Sequence, residues 1–212
     1  EILFLLICHY MTLNEIIKIA EELEAWIHGH TNEKEYPNKP ELALLQQSQD
    51  ICSAISILLE AKLPGPAYAL ARPMLDTYVR GLWLPNHASD MEIKKFLEGK
   101  EPPGFNKLLN AIGNDEETGG AWIHKICEFN RQAFHDLTHG GIEHVLRRTT
   151  INSTEPNYPE DEQIRLMQIQ IGIQFAIGYK LLALVNNQAG IEMQMLEEMA
   201  RRYGTAVRDV IS

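Results

Sequence analysis

The chain has 212 residues, of which 45% are hydrophobic and 23% charged, and its formal net charge is −10 at pH 7. This length predicts one domain over residues 1–212, with a core that needs no disulfide or metal to fold. The composition excludes a disordered chain, a collagen-like repeat and a disulfide-rich scaffold. The acidic charge argues against a protein that coats duplex DNA or an anionic membrane.

The N-terminus and the cysteines predict the location of the protein. Residues 2–7 have the sequence ILFLLI, and six apolar residues are far fewer than the roughly 20 that a membrane span needs. Residues 1–10 are either an extension before a natural start at Met11 or a segment that packs on the core or on a partner chain. The three cysteines are widely spaced without a CxxC pair, which is typical of buried thiols in a reducing compartment. We therefore expect a cytoplasmic protein without a membrane span.

Apolar residues recur at helical spacing along almost the whole chain, between clusters of Gly, Pro, Asn and Asp. A capping box, Thr12-x-x-Glu15, opens the first predicted helix, which closes at His28-Gly29-His30. The later predicted helices cover about 41–62, 66–84, 89–97, 105–112, 121–139, 160–186 and 190–210. Ile142 to Arg148 is an open case that either continues as helix or belongs to the loop after it.

Several local signals qualify these assignments. Leu63-Pro64-Gly65-Pro66 is a break, and Pro73 predicts a kink or a junction inside the helix that Pro85-Asn86 ends. The sequence MQIQIGIQF at 167–175 alternates like a strand, but the length of the surrounding run favours a helix. Gly140-Gly141 stops or bends the long helix before it. The predicted fold class is all-α, a single bundle of about six to eight helices.

Arg72, Asp76 and Arg80 share one face of a predicted helix because they are spaced i, i+4, i+8. Their neighbours are apolar or aromatic, and an unpaired charge on a buried helix costs several kcal/mol. One interpretation is a structural network in which both arginines flank Asp76. The other is a site in which an arginine binds an anionic ligand or a phosphate.

A second polar group lies at the end of the helix over 121–139, where the sequence is HDLTHGG from His135 to Gly141. Two histidines at i, i+4, here His135 and His139, can share a metal ion. The third ligand would have to be Asp76 or Glu143, which requires helices to meet, so we expect no metal and no other cofactor. Histidine also carries protons near neutral pH. His135 or His139 facing Arg131, or an arginine of the helix over 66–84, would form an acid–base pair at a phosphodiester.

The sequences ALARPMLDTYVRGLWL, at 69–84, and HDLTHGG, at 135–141, resemble a group of bacterial all-helical proteins. That group is similar to HEPN domains (higher eukaryotes and prokaryotes nucleotide-binding), which are compact helical bundles that often dimerise. The resemblance covers roughly residues 40–185 and implies a HEPN-like fold. Many HEPN proteins are metal-independent ribonucleases of toxin–antitoxin and phage-defence systems. Their signature is Arg, four to six residues, then His, and Arg80 and His87 match it with six residues between them.

The first hypothesis is therefore a HEPN-like bacterial protein that binds RNA or nucleotide and cleaves RNA without a metal. It acts as a homodimer and has RNA or an antitoxin-like protein as its partner. Its candidate catalytic residues are Arg80, His87, His135 and His139, and its candidate ligand-binding residues are Arg72, Asp76 and Arg131. The alternative is a non-enzymatic helical module that binds a protein or a small ligand. In that case the same Arg, Asp and His side chains form a structural network.

Overall fold

The structure is a computed structural model that describes residues 11–31, 39–100, 103–114, 120–185 and 190–203, without the side chains of 129–134, 184 and 185. Within these ranges there is no strand, only an isolated antiparallel bridge between Thr149 and Thr154. The all-α class is confirmed, and the nine helices of the described ranges slightly exceed the six to eight predicted. In chain order they are α1 (Leu13–Thr31), α2 (Pro40–Glu60), α3 (Pro64–His87), α4 (Asp90–Leu97), α5 (Phe105–Ile112), α6 (Gly120–His139), α7 (Ile142–Leu146), α8 (Glu160–Val185) and α9 (Gly190–Tyr203).

The first helix begins and ends close to where the sequence predicts. The backbone N–H of Thr12 donates to Glu15 Oε2 at 2.7 Å, and the backbone N–H of Glu15 bonds to Thr12 Oγ1 at 3.4 Å, which confirms the capping box. The predicted close at His28-Gly29-His30 agrees with the structure to within one residue, since α1 ends at Thr31. His30 Nδ1 bonds to the Trp26 carbonyl and the Thr31 hydroxyl donates to the Ile27 carbonyl, both at 2.7 Å, so side chains satisfy carbonyls of the last turn.

The third helix is one continuous element, so the predicted end at Pro85-Asn86 is wrong, and Pro73 does not divide the helix into two. Pro64 lies in the first turn of α3, where a backbone N–H has no partner within the helix and its absence costs nothing. The break predicted over 63–66 is therefore shorter than expected. An internal proline costs about 3 kcal/mol. Thirteen of the 24 residues of α3 are buried, and burial on this scale outweighs that cost.

The core lies around α3 and α8. Gly81 lets α3 approach α2 closely, because a Cβ atom there would lie 2.8 Å from Leu45 Cδ2. Gly178 does the same for α8 against α1 and α9, with Ile27 and Leu196 beside it. α8 contacts α1, α2, α3 and α9, and this burial on several sides explains why its glutamines alternate with isoleucines.

The helix α2 is long and apolar enough to cross a membrane by length and composition alone, with a mean hydropathy of 1.2 over its most apolar window. That window is 44% buried within the bundle, and a core helix passes the same test, so this is weak evidence for a membrane span.

Two buried glutamines of α8 differ in their hydrogen bonds. Gln170 Nε2 donates to Ser56 Oγ at 2.6 Å, and this bond links α8 to α2. Gln174 is fully buried, and neither atom of its amide has a hydrogen-bond partner among the described residues. Gln170 leaves only its Oε1 without a partner among the described residues, whereas Gln174 leaves both amide atoms. An unsatisfied buried polar group costs about 1–3 kcal/mol, so Gln174 weakens the core more than Gln170 does.

We therefore expect Gln174→Met to raise the free energy of unfolding by about 1 kcal/mol, since it removes an unpaired amide at nearly constant volume. The matched control, Gln170→Met, should lower it, because the loss of the 2.6 Å bond to Ser56 Oγ outweighs the removal of an Oε1 that has no partner among the described residues. Ser56 then keeps only its 3.5 Å bond to the Cys52 carbonyl. Urea denaturation measures both values. If Gln174→Met destabilised the protein as much as Gln170→Met does, the Gln174 amide would have a partner in the core.

Candidate functional site

On the charged face of α3, Arg72 contacts both Asp76 and an aromatic ring of α5. Arg72 Nε lies 3.1 Å from Asp76 Oδ1, with the two side chains 20% and 25% exposed. The Arg72 guanidinium also lies over the Phe105 ring of α5, 3.6 Å from its centroid. Such a contact is worth about 0.5–2 kcal/mol. The pair thus joins α3 to α5, as the structural interpretation of these residues requires.

Cys127 of α6 lies within electrostatic reach of the same pair. Burial raises the pKa of its thiol to about 12, while Arg72 lowers it and Asp76 raises it. The thiol is therefore protonated at neutral pH and is not a candidate nucleophile. Its burial between α6 and α3 is that of a small core residue.

Arg80 and His87 lie on α3 as well, because the helix continues to His87. Seven residues of a helix place them on nearly the same face but about 10 Å apart along its axis. Arg80 Nε is buried without a hydrogen-bond partner among the described residues, and His87 is exposed. The predicted flanking of Asp76 by two arginines is thus seen only for Arg72 within the described part of the chain.

The two histidines at the end of α6 are adjacent and open to solvent. The ring centroids of His135 and His139 are 4.8 Å apart, and the rings are tilted by 56°. The His135 side chain is 64% exposed, and its Nδ1 lies 3.5 Å from Oδ1 of the neighbouring Asp136. The spacing of HDLTHGG therefore brings the predicted pair together. The Arg131 side chain falls outside the described residues.

The chain turns sharply directly after this pair. Gly140 has a φ of +71°, and the N–H of Gly141 donates to the Asp136 carbonyl at 2.6 Å, which is the Schellman arrangement at a helix end. The predicted stop at Gly140-Gly141 is confirmed. His144 of α7 then folds back, with Nε2 bonded to the Leu137 carbonyl and Nδ1 lying 3.4 Å from the hydroxyl of Tyr158.

These contacts place the end of α6 beside the beginning of α3. The ring of Tyr158 stacks on Tyr68, with centroids 5.6 Å apart, and its hydroxyl packs against the backbone of Gly65. Arg80 lies about 18 Å further along α3 from Tyr68. Within one chain, the structure therefore separates Arg80 and His87 from the histidine pair.

Sequence reasoning missed three contributors to this site. Asp136 follows His135 directly in the sequence, but neighbouring residues of a helix do not face each other, so their contact was not predicted. His144 and Tyr158 gave no signal, because a short helix and an irregular segment bring them back to α6. Only the tertiary structure shows these contacts.

The two candidates for a third metal ligand are engaged elsewhere. Asp76 is paired with Arg72, and Glu143 is paired with Arg147, whose guanidinium also lies 2.8 Å from Glu162. In the parts of the chain that the structure describes, no group of three or more His, Cys, Asp or Glu side chains could hold a metal ion.

Fold and site together define an all-helical bundle with a paired Arg–Asp face inside it and an exposed histidine pair at one helix end. Residues 45–209 match a family of unknown function, DUF6988, and the chain belongs to this family. The matched region contains both the Arg72–Asp76 pair and the histidine pair. Comparisons with curated proteins and with solved structures each found no significant match.

The geometry of Arg72 predicts that it acts on stability. We expect Arg72→Ala to lower the free energy of unfolding by about 1–3 kcal/mol, because it removes the ring contact and leaves Asp76 half-buried without its partner. The control is Arg165→Ala. Arg165 pairs with Asp161 at the same sequence spacing and 2.7 Å, but the two side chains are 61% and 70% exposed. Such a pair is worth roughly 0–1 kcal/mol. Equal effects of the two substitutions in urea denaturation would contradict the structural role of Arg72.

Proposed function

We propose that this protein is a metal-independent ribonuclease in which His135 and His139 are the acid–base pair. The observation that supports it is two exposed imidazole rings with centroids 4.8 Å apart, beside the carboxylate of Asp136. RNA can cleave itself when its 2′-hydroxyl attacks the adjacent phosphorus. One group must take the hydroxyl proton and another must give a proton to the leaving 5′-oxygen, and two imidazoles meet both needs.

The spacing of the rings suits this reaction. Two imidazole rings this close can both contact one phosphodiester. The exposure of both histidines leaves room for a flexible single strand. The products would be a 2′,3′-cyclic phosphate and a 5′-hydroxyl. The acidic net charge is unfavourable for a broad RNA surface, so the proposal is limited to a small site that binds a few nucleotides.

The reaction also develops negative charge on phosphorus, which an arginine stabilises. In one chain Arg72 and Arg147 are held by carboxylates, Arg148 lies beside Gly65, and Arg80 lies more than four turns along α3 from Gly65. We include in the proposal a homodimer in which Arg80 and His87 of a second copy face the histidine pair. This arrangement is consistent with the HEPN-like resemblance, in which Arg80 and His87 match the signature.

A non-enzymatic module is the second candidate, and the surface of α7 favours it. Ile142, Val145 and Leu146 are spaced as one helical face and are 57%, 54% and 56% exposed. Exposed apolar side chains grouped in this way are typical of a surface that binds another protein. In this case the histidine pair would border the interface, and an antitoxin-like protein would be the partner.

The decisive experiment incubates the purified protein with single-stranded RNA in excess EDTA and analyses the ends of the products. We expect the wild type to leave cyclic phosphates and the variant His135→Ala/His139→Ala to lose at least about 100-fold in rate, since each proton transfer contributes 10²–10⁴-fold. The control is His28→Ala, an exposed histidine of α1, which should cleave like the wild type. Because the mechanism needs one protonated and one neutral group, the rate should peak between two pH limits.

A third variant, Arg80→Ala/His87→Ala, tests the contribution of a second copy. Loss of cleavage with an unchanged dimer, measured by light scattering, would support it. Undiminished cleavage by the His135/His139 variant would contradict the proposed site. Absence of cleavage by the folded wild type would favour the binding module.

A further inference from the structure

Asp136 contacts His135 although neighbouring residues of a helix point about 100° apart and do not face each other. Its Oδ1 nevertheless lies 3.5 Å from His135 Nδ1, and its side chain is 14% exposed, against 64% for His135. Something other than helical spacing therefore keeps the carboxylate close to the ring and away from water.

The turn after α6 packs directly on Asp136. A Cβ atom at Gly141 would lie 2.8 Å from both Cβ and Cγ of Asp136 and 2.9 Å from its Cα. Gly141 has a φ of −72°, which any residue adopts, so its backbone conformation does not require glycine. The φ of Gly140 is +71°, and this conformation does favour glycine. The lack of a side chain at Gly141 therefore allows the turn to pack closely on the backbone and the side chain of Asp136 together.

We infer that Asp136 is the positioning residue for His135, and that Gly141 holds the Asp136 carboxylate in place. The carboxylate accepts the Nδ1 proton of His135 and thereby selects the tautomer with an unprotonated Nε2. A contact of 3.5 Å is long for such a bond, and bonds of this kind tighten when substrate binds. The tautomer makes His135 the base and leaves His139 as the acid. This assignment of roles rests on the proposed function.

In that reaction His135 Nε2 takes the proton of the 2′-hydroxyl as the bond from its oxygen to phosphorus forms. The bond from phosphorus to the 5′-oxygen breaks, and His139 gives that oxygen its proton. Asp136 stays ionised throughout and stabilises the imidazolium that forms on His135. A carboxylate that is hydrogen-bonded to Nδ1 of a catalytic histidine commonly has this role. The second proton of His135 remains on Nδ1.

The tautomer can be measured without any activity. Two-bond ¹H–¹⁵N correlation spectra of the ¹⁵N-labelled full chain, at a pH where the rings are neutral, should show His135 with its proton on Nδ1. Asp136→Asn should shift the proton to Nε2, and the His139 ring should be unchanged. The same variant should lower kcat by about 100-fold with little change in KM.

Two glycine variants separate the positioning from the turn itself. Gly141→Ala should displace the carboxylate and change the His135 tautomer as Asp136→Asn does. Gly140→Asn keeps the turn, because asparagine tolerates a positive φ, and should leave the tautomer as in the wild type. Circular dichroism checks that both variants are folded.

The outcomes distinguish the two claims. If the wild type never cleaves RNA but Asp136→Asn still changes the His135 tautomer, the positioning role is supported and the ribonuclease proposal is overturned. Cleavage by the wild type, with tautomer and kcat both unchanged in Asp136→Asn, would overturn the positioning role alone.

Discussion

The helices α3 and α8 can fold only when other helices cover them on several sides, because most of their side chains are apolar. Tyr78 and Met74 of α3 and Ile171 of α8 are fully buried. Burying one such side chain contributes about 1.5–3 kcal/mol, so two helices of this kind dominate the stability of the bundle. The order of the other helices follows, since α1, α2 and α9 cover α8, while α2, α5 and α6 cover α3.

This constraint separates the polar residues of the chain into two classes. A charge on a buried helix must find a partner, and Arg72 finds Asp76 and the Phe105 ring. His135 and His139 lie on the exposed side of α6, whereas Leu137 between them is buried in the core, so the two histidines need no such partner and remain open to solvent. Arg80 belongs to neither class, because its Nε is buried and has no hydrogen-bond partner in the described ranges. The residues that stabilise the bundle and the histidines of the proposed site thus lie on different faces.

Local signals in the sequence were sufficient for the fold class and for most of the helices. The helix predicted over 105–112 and the stop at Gly140-Gly141 are confirmed because caps and turns are encoded within a few residues. The predicted end of α3 was wrong for a physical reason, because burial carries this helix through Pro85 to His87. That effect is not visible in local composition.

The site was predicted in part. Spacing alone placed His135 beside His139, because i, i+4 residues meet on any helix. The match of Arg80 and His87 to a signature said nothing about distance, and the continuous α3 puts them two turns apart. The packing of Gly141 on Asp136 and the return of His144 depend on the turn after α6, which the sequence predicts only as a stop.

We propose that single-stranded RNA binds at His135 and His139. The most direct test is a titration of the ¹³C-labelled protein with an RNA oligonucleotide whose 2′-hydroxyls are methylated, so that it binds but cannot react. Histidine ring resonances are followed by NMR in the presence of EDTA. We expect the resonances of His135 and His139 to shift with added RNA, while those of His28 and His30 on α1 do not. Unchanged resonances of His135 and His139 at saturating RNA would contradict this binding site.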